Sequence, residues 1–324
     1  MTDTIIMVYS ASPANNTPPA SVHIKFSTDY GATWTDEDKF TNGNPVTGFP
    51  LSDLGQGLVV CAPNGNLIVL AWSDVAGVGN GTYQSVSTDG GASWSAPSQI
   101  TISGLSGADN LLTFATNQAV IVGSVIYVAA VHYSYLNWQT NPESYYMSLI
   151  KSTDNGSTWA HVSQIGGASA TGYGEGSITR TGTNTLFATL RDLSDNIYTT
   201  YSTNLGLTWS SPALCGIADG GRNMIYTRSQ LHGDANWWLD PVLLMTGFVN
   251  TTPMDARQNS LWVSVNRGET WSDAFALDTP ADGRDGGYGD MFWDATNSQY
   301  VAVNYRGLPA AADVKQYNLT IGGI

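Results

Sequence analysis

Ser27-Thr-Asp-Tyr-Gly-Ala-Thr-Trp34 is the first of five copies of one short pattern in this chain of 324 residues. The pattern is Ser-x-Asp/Asn-x-Gly-x-x-Trp, and each copy is called a turn motif below. The five turn motifs span Ser27–Trp34, Ser87–Trp94, Ser152–Trp159, Ser202–Trp209 and Ser264–Trp271. Their spacing, about 60 residues with strand-like runs on both sides, predicts supersecondary units that repeat radially or in a line.

Each turn motif is predicted to close a β-hairpin. Strand-like runs precede the copies, as in Ser21–Phe26 before the first and Leu261–Ser264 before the last. The Asp or Asn can accept hydrogen bonds from backbone amides, the Gly can take a positive φ, and the Trp can cover the turn. Because this chemistry is fully used in closing a turn, we interpret the aspartates of the motifs as structural rather than catalytic.

The runs between the turn motifs predict four short strands per unit. The strands predicted in the second unit are Gly57–Cys61, Leu67–Trp72 and Tyr83–Val86. Those predicted in the fourth unit are Gly176–Thr179, Thr185–Leu190 and Ile197–Tyr201. Dividing the 324 residues into six units gives 54 residues per unit, which is close to the observed spacing, and a sixth unit without a turn motif fits Tyr288–Ile324. The sequence therefore predicts an all-β fold, a six-bladed β-propeller with four-stranded antiparallel blades, in one domain over residues 1–324.

The first unit is short for this arrangement. Only Ile5–Tyr9 precedes the strand that leads into the first turn motif. Either the first blade lacks its innermost strand, or the C-terminal run Val314–Ile321 helps to complete the ring. The sequence leaves both alternatives open.

Charge and composition narrow the class of partner. The formal net charge is −14 and the 12 Lys and Arg residues form no run, so nucleic acid and anionic membrane surfaces are not expected as partners. Cys61 and Cys215 indicate no disulfide framework, and the sequence predicts neither a metal site nor a cofactor. Met1–Tyr9 lacks the features of a signal peptide, and no apolar stretch has the length of a membrane span. Abundant Ser, Thr, Asn and Gly are typical of an extracellular or virion-associated protein that acts on carbohydrate.

Beyond the turn motifs, the chain resembles the sialidase superfamily over nearly its whole length. Glu175 begins a run similar to the family strand that opens with a glutamate, and Leu186–Arg191 is similar to the following strand, which closes with an arginine. Arg257 lies shortly before a strand that leads into a turn motif, as another family arginine does. Tyr288 resembles the family tyrosine that opens the inner strand of the last blade. The resemblance implies an Asp-box, or BNR-repeat, six-bladed propeller.

The resemblance also implies roles for these four residues. In sialidases the sugar carries a carboxylate beside the anomeric carbon, so a neutral tyrosine is a better nucleophile than a carboxylate, and a glutamate takes its proton. Arginines bind the substrate carboxylate through paired, charge-assisted hydrogen bonds. Tyr288 and Glu175 are thereby predicted to be catalytic, and Arg191 and Arg257 to bind substrate.

The chain departs from the family pattern in its first unit. The family clamp includes a third arginine on the opening strand of the first blade, whereas the first arginine of this chain is Arg180. The family acid/base aspartate lies in the loop of that blade, whereas Ser10–Ala20 contains no acid. We therefore expect a substrate other than a standard sialic acid.

Further side chains are candidates for the missing roles. The predicted substrate-binding residues besides the two arginines are Trp237, Trp238, Tyr135, Arg222, Asp290 and His132. His132 or Asp290 could serve as an acid, and the aromatic residues could stack on a sugar. Additional loop candidates are Asp53, Asp109, Glu143, Asp285 and Arg284. An Asp in a glycine-rich loop is more often a turn residue, and a His that ends an apolar run is more often a core residue.

Three functions remain open at the level of sequence. The leading hypothesis is a sialidase-like glycoside hydrolase, an exo-glycosidase acting on a terminal sugar of a glycan or polysaccharide. The alternative is a non-catalytic carbohydrate-binding propeller or a phage or virion-surface propeller, because propellers host many functions. The third is a polysaccharide lyase in which His132 and Tyr288 remove a proton next to a uronate. The sequence does not indicate the sugar, the linkage or the oligomeric state.

Overall fold

The structure is a computed structural model in which the chain divides into two compact units, Met1–Ser163 and Gln164–Ile324, described separately below. The residues it describes are 4–11, 21–35, 57–73, 81–105, 112–113, 119–132, 145–170, 172–194, 196–215, 217, 228–230, 243–251, 256–266, 268–272, 275–277, 285–294, 296–308 and 311–319. Every regular element in these ranges is a β-strand, and none of them forms a helix with the length and hydropathy of a transmembrane span. The single domain over residues 1–324 stays a prediction.

The first unit contains three sheets, which are antiparallel except for one parallel strand pair in sheet 3; strands are numbered in chain order. Sheet 1 consists of β1 (Ile5–Ala11) and β2 (Ser21–Ser27). Sheet 2 consists of β3 (Gly57–Cys61), β4 (Leu67–Ser73), β5 (Gly81–Ser87) and β6 (Ser98–Gln99). Sheet 3 consists of β7 (Ile102–Ser103), β8 (Leu112–Thr113), β9 (Ala119–Val122), β10 (Val125–His132), β11 (Tyr146–Ser152) and β12 (Trp159–Gln164), with β7 joined in parallel to β12.

The second unit contains three further sheets. Sheet 4 consists of β13 (Gly174–Arg180), β14 (Leu186–Arg191), β15 (Ile197–Ser202) and β16 (Ala213–Leu214). Sheet 5 consists of β17 (Arg228–Gln230), β18 (Leu243–Thr251), β19 (Ala256–Ser264) and β20 (Phe275–Ala276). Sheet 6 consists of β21 (Asp285–Asp294), β22 (Gln299–Leu308) and β23 (Ala311–Leu319).

The sheets have a propeller-like arrangement within each unit. The first strands of successive sheets contact one another: β1 contacts β3, β13 contacts β17, and β17 contacts β21. Side-by-side first strands are the arrangement that radial repetition of four-stranded sheets produces. The all-β class and the propeller-like fold predicted from the sequence are thus confirmed.

The number of complete blades differs from the prediction of six. Among the described strands, four sheets have four strands or more, whereas sheet 1 has two and sheet 6 has three. The stretch that forms sheet 6 contains no turn motif, and in its described part no fourth strand follows β23. The C-terminal run pairs along β22, from Tyr300 opposite Leu319 to Leu308 opposite Ala311, so in the described residues it completes its own sheet and not sheet 1.

Sheet 2 shows why the sequence forms stacked sheets. Leu67–Trp72 on β4 is apolar at every position and wholly buried, because both faces of the strand are covered. Ile68 and Leu70 pack with residues of sheet 3 such as Val128, whereas the alternate side chains, such as Val69, pack with residues of sheet 1. Burial of each large side chain stabilises this stacking by about 1.5–3 kcal/mol.

The turn motifs are closed by their own polar side chains, as predicted. In the second motif, Ser87 Oγ donates to Asp89 Oδ1 at 2.8 Å and accepts a hydrogen bond from Gly91 N at 2.8 Å. Asp89 in turn accepts from Ser93 N at 2.9 Å and from the Ser93 hydroxyl at 2.5 Å. Trp94 Nε1 donates to Gly91 O at 3.2 Å, and Gly91 has a φ of 94°. These contacts confirm the structural interpretation of the motif aspartates.

The third turn motif also joins two sheets. Trp159 Nε1 donates to Gln84 Oε1 at 3.0 Å, and Gln84 Nε2 donates to Gly156 O at 2.9 Å. Gln84 lies on β5 of sheet 2, whereas Trp159 begins β12 of sheet 3. The third turn motif therefore binds a strand of the neighbouring sheet through two hydrogen bonds to Gln84.

The motifs of the two units use opposite hydrogen-bond directions at one contact. In the first unit the Thr or Ser hydroxyl donates to a carboxylate, as from Thr158 to Asp154 at 2.6 Å. In the second unit an Asn takes the place of the Asp, and Asn204 Nδ2 donates to Thr208 Oγ1 at 2.8 Å. Only the carboxylate version of this contact depends on pH.

We predict that the two adjacent glycines of the second motif differ in their tolerance of alanine. Gly90 and Gly91 both have positive φ, so alanine strains the backbone at either position by about 1–2 kcal/mol. A Cβ at Gly91 would overlap the Phe26 ring of sheet 1, whereas among the described residues, apart from the chain neighbours of Gly90, no atom lies within 4 Å of a Cβ at Gly90. Gly91→Ala should lower the free energy of unfolding by about 1–3 kcal/mol more than Gly90→Ala, measured by urea unfolding. Equal losses would contradict packing between the motif and the preceding sheet.

We also predict that Asp89→Asn makes the free energy of unfolding less dependent on pH in the acid range. Hydrogen bonds from the Ser93 side chain, the Ser93 backbone and Ser87 lower the Asp89 pKa from 3.8 to about 2. Because the folded pKa is the lower one, this stabilisation is complete above the unfolded pKa and is lost as the pH falls through the folded pKa. Urea unfolding midpoints between pH 6 and pH 2 should fall less for Asp89→Asn than for the wild type.

Asn204→Asp is the reciprocal control, because it places a carboxylate where the second unit has an amide. Its unfolding midpoint should fall more steeply with acid than that of the wild type. Identical pH profiles for all three proteins would show that the motif carboxylates do not contribute to the pH dependence.

Candidate active site

The predicted residues Glu175 and Arg191 lie close together at the end of sheet 4 where β13 begins and β14 ends. Gly174 on β13 is opposite Arg191 on β14, and the next registered pair is Ser177 opposite Thr189. Two residues, Glu175 and Gly176, therefore lie opposite the single residue between Thr189 and Arg191. This two-against-one register is a β-bulge, an irregularity that re-aims side chains and is common beside active sites.

Glu175 has a backbone conformation that glutamate rarely adopts. Its φ is 44°, in the left-handed region where glycine is the usual residue. A glycine precedes and another follows it, yet the strained position itself holds the charged side chain. Strain of this kind costs about 1–3 kcal/mol and is concentrated at functional sites.

The Glu175 carboxylate is ion-paired with Arg191. Arg191 Nη1 donates to Glu175 Oε2, and the two side chains are 17% and 19% exposed for Arg191 and Glu175, respectively. A pair this sheltered from solvent is screened less than a surface pair, and truncating one partner leaves a charge in a poorly solvated place. The structure therefore has a fixed carboxylate and a fixed cation at one strand end.

Tyr288 lies in a second bulge of the same kind. On β21 the register shifts between Gly286, opposite Arg306, and Gly289, opposite Asn304. Gly287 and Tyr288 thus lie opposite one residue of β22. Like the bulge at Glu175, this one is near the beginning of the first strand of its sheet. The side chain of Tyr288 lies outside the described part of the structure.

Arg257 and Asp290 are the other candidates on described strands of the second unit. Arg257 lies on β19 opposite Asn250 of β18, and its side chain lies outside the described part of the structure. Asp290 is partly buried on β21, and its Oδ1 accepts a hydrogen bond from Met291 N at 2.8 Å. That contact is local and is typical of a carboxylate that supports its own strand.

His132 ends β10 in the first unit and is a core residue. It is 2% exposed and stacks on Tyr146, with ring centroids 4.1 Å apart. Burial, with a smaller contribution from His161, lowers the pKa of His132 to about 3. The imidazole is therefore neutral near pH 7 and supplies no acidic proton there, which favours the core interpretation over the acid one.

The remaining candidates fall outside the described residues. These are Trp237, Trp238, Tyr135, Arg222, Asp53, Asp109, Glu143 and Arg284. Asp285 begins β21, but its side chain is not described. Among the described residues, no group of three or more His, Cys, Asp or Glu side chains could hold a metal ion.

Sequence reasoning missed the residues that surround the ion pair. Asp192, next to Arg191, is a buried carboxylate that accepts hydrogen bonds from the amides of Ser194 and Asn196 at 2.9 and 2.8 Å, so it closes a turn. Ser177 and Thr189 form a buried polar pair behind the bulge. The glycines on either side of Glu175 were the one sequence signal for a bulge at this place.

Comparison with known proteins defines the family. The sequence profile of the BNR repeat-like domain matches residues 53–300, so the chain belongs to the BNR repeat-like domain family. No curated protein sequence gives a significant match. The predicted likeness to the sialidase superfamily is confirmed by this match together with the folds of solved structures.

Three solved structures illustrate that fold. A protein of unknown function from Dyadobacter fermentans has 17% identity and a TM-score of 0.69, covering 98% of this chain and 91% of that one. The intramolecular trans-sialidase from Ruminococcus gnavus, solved with oseltamivir carboxylate, has 12% identity and a TM-score of 0.67, covering 97% and 92%. A Hadza microbial sialidase has 16% identity and a TM-score of 0.67 over 98% of this chain, which spans 63% of that sialidase.

We predict that the strain at Glu175 reverses the usual order of alanine and glycine. Glu175→Ala and Glu175→Gly both remove the ion pair with Arg191, but only glycine also relieves the positive φ. At an ordinary strand position glycine is less stable than alanine by roughly 0.5–1 kcal/mol. Here Glu175→Gly should be more stable than Glu175→Ala by about 1 kcal/mol in urea unfolding. An alanine variant as stable as the glycine variant would contradict the strained conformation.

Proposed function

We propose that this protein is a glycoside hydrolase of sialidase-like architecture that acts on a terminal sugar other than a standard sialic acid. The observation that carries the proposal is the strained Glu175, fixed against Arg191 in a bulge at the start of β13. Glycine adopts a positive φ without strain, so glycine at position 175 would stabilise the backbone if the carboxylate had no function there. The positions of Glu175 and Tyr288 in bulges of first strands support assigning both to one site.

Each residue has a role that suits its chemistry. Tyr288 attacks the anomeric carbon through its phenol oxygen while Glu175 accepts the phenol proton; the bond to the aglycone breaks, and the aglycone oxygen takes a proton from solvent. Water then attacks the anomeric carbon and breaks its bond to Tyr288: the hydroxyl stays on the sugar, the second proton of the water goes to solvent, and Glu175 returns its proton to the phenol oxygen. Arg191 and Arg257 bind an anionic or hydroxyl group of the sugar. A guanidinium has five N–H donors, so the bond from Arg191 Nη1 to Glu175 is compatible with further bonds to substrate.

The substrate class follows from the departures in the first unit. Without an arginine before Arg180, the chain lacks the third member of a sialidase carboxylate clamp. Without an acid in Ser10–Ala20, it lacks the acid/base group at the place where sialidases have it. Structural relatives that are sialidases, including one solved with oseltamivir carboxylate, support a carbohydrate partner, while these two departures favour a different sugar.

Six blades are part of the same proposal. The described strands form six sheets, of which sheets 1 and 6 have fewer than four strands. The proposal treats these two as shortened blades of one propeller in residues 1–324. The fold shared with the trans-sialidase extends over 97% of this chain and 92% of that one, so the match includes residues of both units.

A non-catalytic carbohydrate-binding protein is the second candidate. The contact that favours it is the ion pair itself, because Glu175 Oε2 already accepts a hydrogen bond from Arg191 Nη1 and is therefore occupied before any substrate binds. In that case Glu175→Gln should leave the affinity for glycans on an array nearly unchanged, and no sugar should be released.

Hydrolysis is tested with a panel of aryl glycosides. We expect release of the aryl group from at least one member by the wild type, with kcat lowered by about 100-fold or more in Tyr288→Phe and Glu175→Gln. Tyr300→Phe is a matched control, because Tyr300 is a buried tyrosine at the other end of the same strand pair, opposite Trp293. Turnover by Tyr288→Phe at the wild-type rate, or no turnover of any glycoside by the wild type, would refute the hydrolase assignment.

A further inference from the structure

Thr189 lies directly behind the ion pair on β14. It precedes Arg191 by two residues, and because side chains alternate along a strand, the two share one face of the sheet. Its partner across the strand pair is Ser177, the first registered residue after the bulge. Both Thr189 and Ser177 are 0% exposed. A fully buried pair of hydroxyls therefore lies next to the partly exposed Glu175 and Arg191.

The Thr189 hydroxyl makes two contacts with Ser177. It accepts a hydrogen bond from Ser177 N at 3.2 Å, and its Oγ1 lies 3.3 Å from Ser177 Oγ, where either hydroxyl can be the donor. The backbone of β13 is thus tied by a side chain at the point where regular pairing resumes. A buried amide left without an acceptor costs about 1–3 kcal/mol, so the Thr189 hydroxyl stabilises β13 by accepting the hydrogen bond from Ser177 N.

The strand that carries Thr189 is itself held on the same face. Phe187, two residues earlier, packs against the turn motif of sheet 5, where a Cβ at Gly268 would overlap its ring. The Phe187 and Trp271 rings have centroids 6.5 Å apart. Thr189 therefore projects from a strand fixed by packing, and its hydroxyl is a firm anchor for β13.

We propose that Thr189 is a positioning residue that maintains the bulge and thereby sets the Glu175 carboxylate against Arg191. The bulge has two anchors, Gly174 opposite Arg191 before it and Ser177 tied to Thr189 after it. Between them two residues must span the distance of one, and this forces the positive φ on Glu175. Without the second anchor, β13 relaxes toward regular pairing and the carboxylate turns away. Only the catalytic consequence rests on the proposed function.

The test measures the coupling between Glu175 and Arg191 in different backgrounds. Glu175→Gln, Arg191→Gln and the double variant are made in the wild type and in Thr189→Val, which removes the hydroxyl but keeps the shape. Urea unfolding of the four proteins in each background gives the interaction between the two side chains. We expect the coupling to be present in the wild type and lost in Thr189→Val.

Two controls separate positioning from a general loss of stability. Thr189→Ser keeps the hydroxyl and should restore the coupling. Thr200 on β15 is 1% exposed, and its hydroxyl donates a hydrogen bond to Ser210 O at 2.7 Å. Thr200→Val removes this hydroxyl, so it should lower the free energy of unfolding while leaving the coupling unchanged. If Thr189→Val does not fold, Thr189→Ala provides the same removal in a smaller side chain. Coupling that persists in Thr189→Val or Thr189→Ala, or that is lost equally in Thr200→Val, would overturn the proposal.

A second readout connects the inference to catalysis. With an aryl glycoside that the wild type turns over, Thr189→Val should lower kcat by about tenfold or more with KM changed less, because a displaced catalytic group costs rate more than binding. Thr200→Val should leave both constants near the wild-type values. The coupling measurement needs no substrate, so failure of the hydrolase proposal on the glycoside panel and failure of the positioning role give different results.

Discussion

The hydrogen bonds that close the turn motifs are the constraint on which the rest of the structure depends. A Ser hydroxyl, an Asp or Asn side chain and a glycine amide satisfy one another within eight residues, as at Ser87, Asp89 and Gly91. Because each motif is closed internally, it can set one strand pair and still present its glycine to the sheet before it. Gly91, Gly156 and Gly268 all meet an apolar side chain of the preceding sheet. The same eight residues therefore close the turn and provide the glycine against which the preceding sheet packs.

Stability and proposed function use different parts of each unit. The motif aspartates accept several hydrogen bonds each, and these contacts lower the pKa of Asp29, Asp89 and Asp154. Such carboxylates are stabilised in the charged form and are poor proton donors. Among the described strand residues of sheet 4, the one with a positive φ is instead Glu175, at the start of a first strand. The fold tolerates this cost because the turn motifs and buried strands stabilise the sheet elsewhere.

Much of the fold could be predicted because its signals are local. The pattern of Ser, Asp or Asn, Gly and Trp specifies a turn by itself, and β3 has the predicted bounds, Gly57–Cys61. Glu175 and Arg191 were identified as candidates through the resemblance to the sialidase superfamily, and the structure places them at the ends of paired strands. The bulge did not follow, because a two-against-one register depends on where the opposite strand is tied, here at Thr189. The sequence showed that the first unit is short, but the three-stranded sheet 6 was missed, since an average repeat length carries no information about an end unit.

The central claim is tested most directly by backbone hydrogen exchange of the Glu175→Gln protein. The exchange is measured with and without an excess of each glycoside of the panel. The claim is that sugar binds at the two bulges and that the turn motifs serve the fold. It predicts that bound sugar slows exchange in peptides covering residues 174–191 and 285–294 and leaves the five turn motifs unchanged. Protection of the turn motifs with no change at the bulges would contradict it.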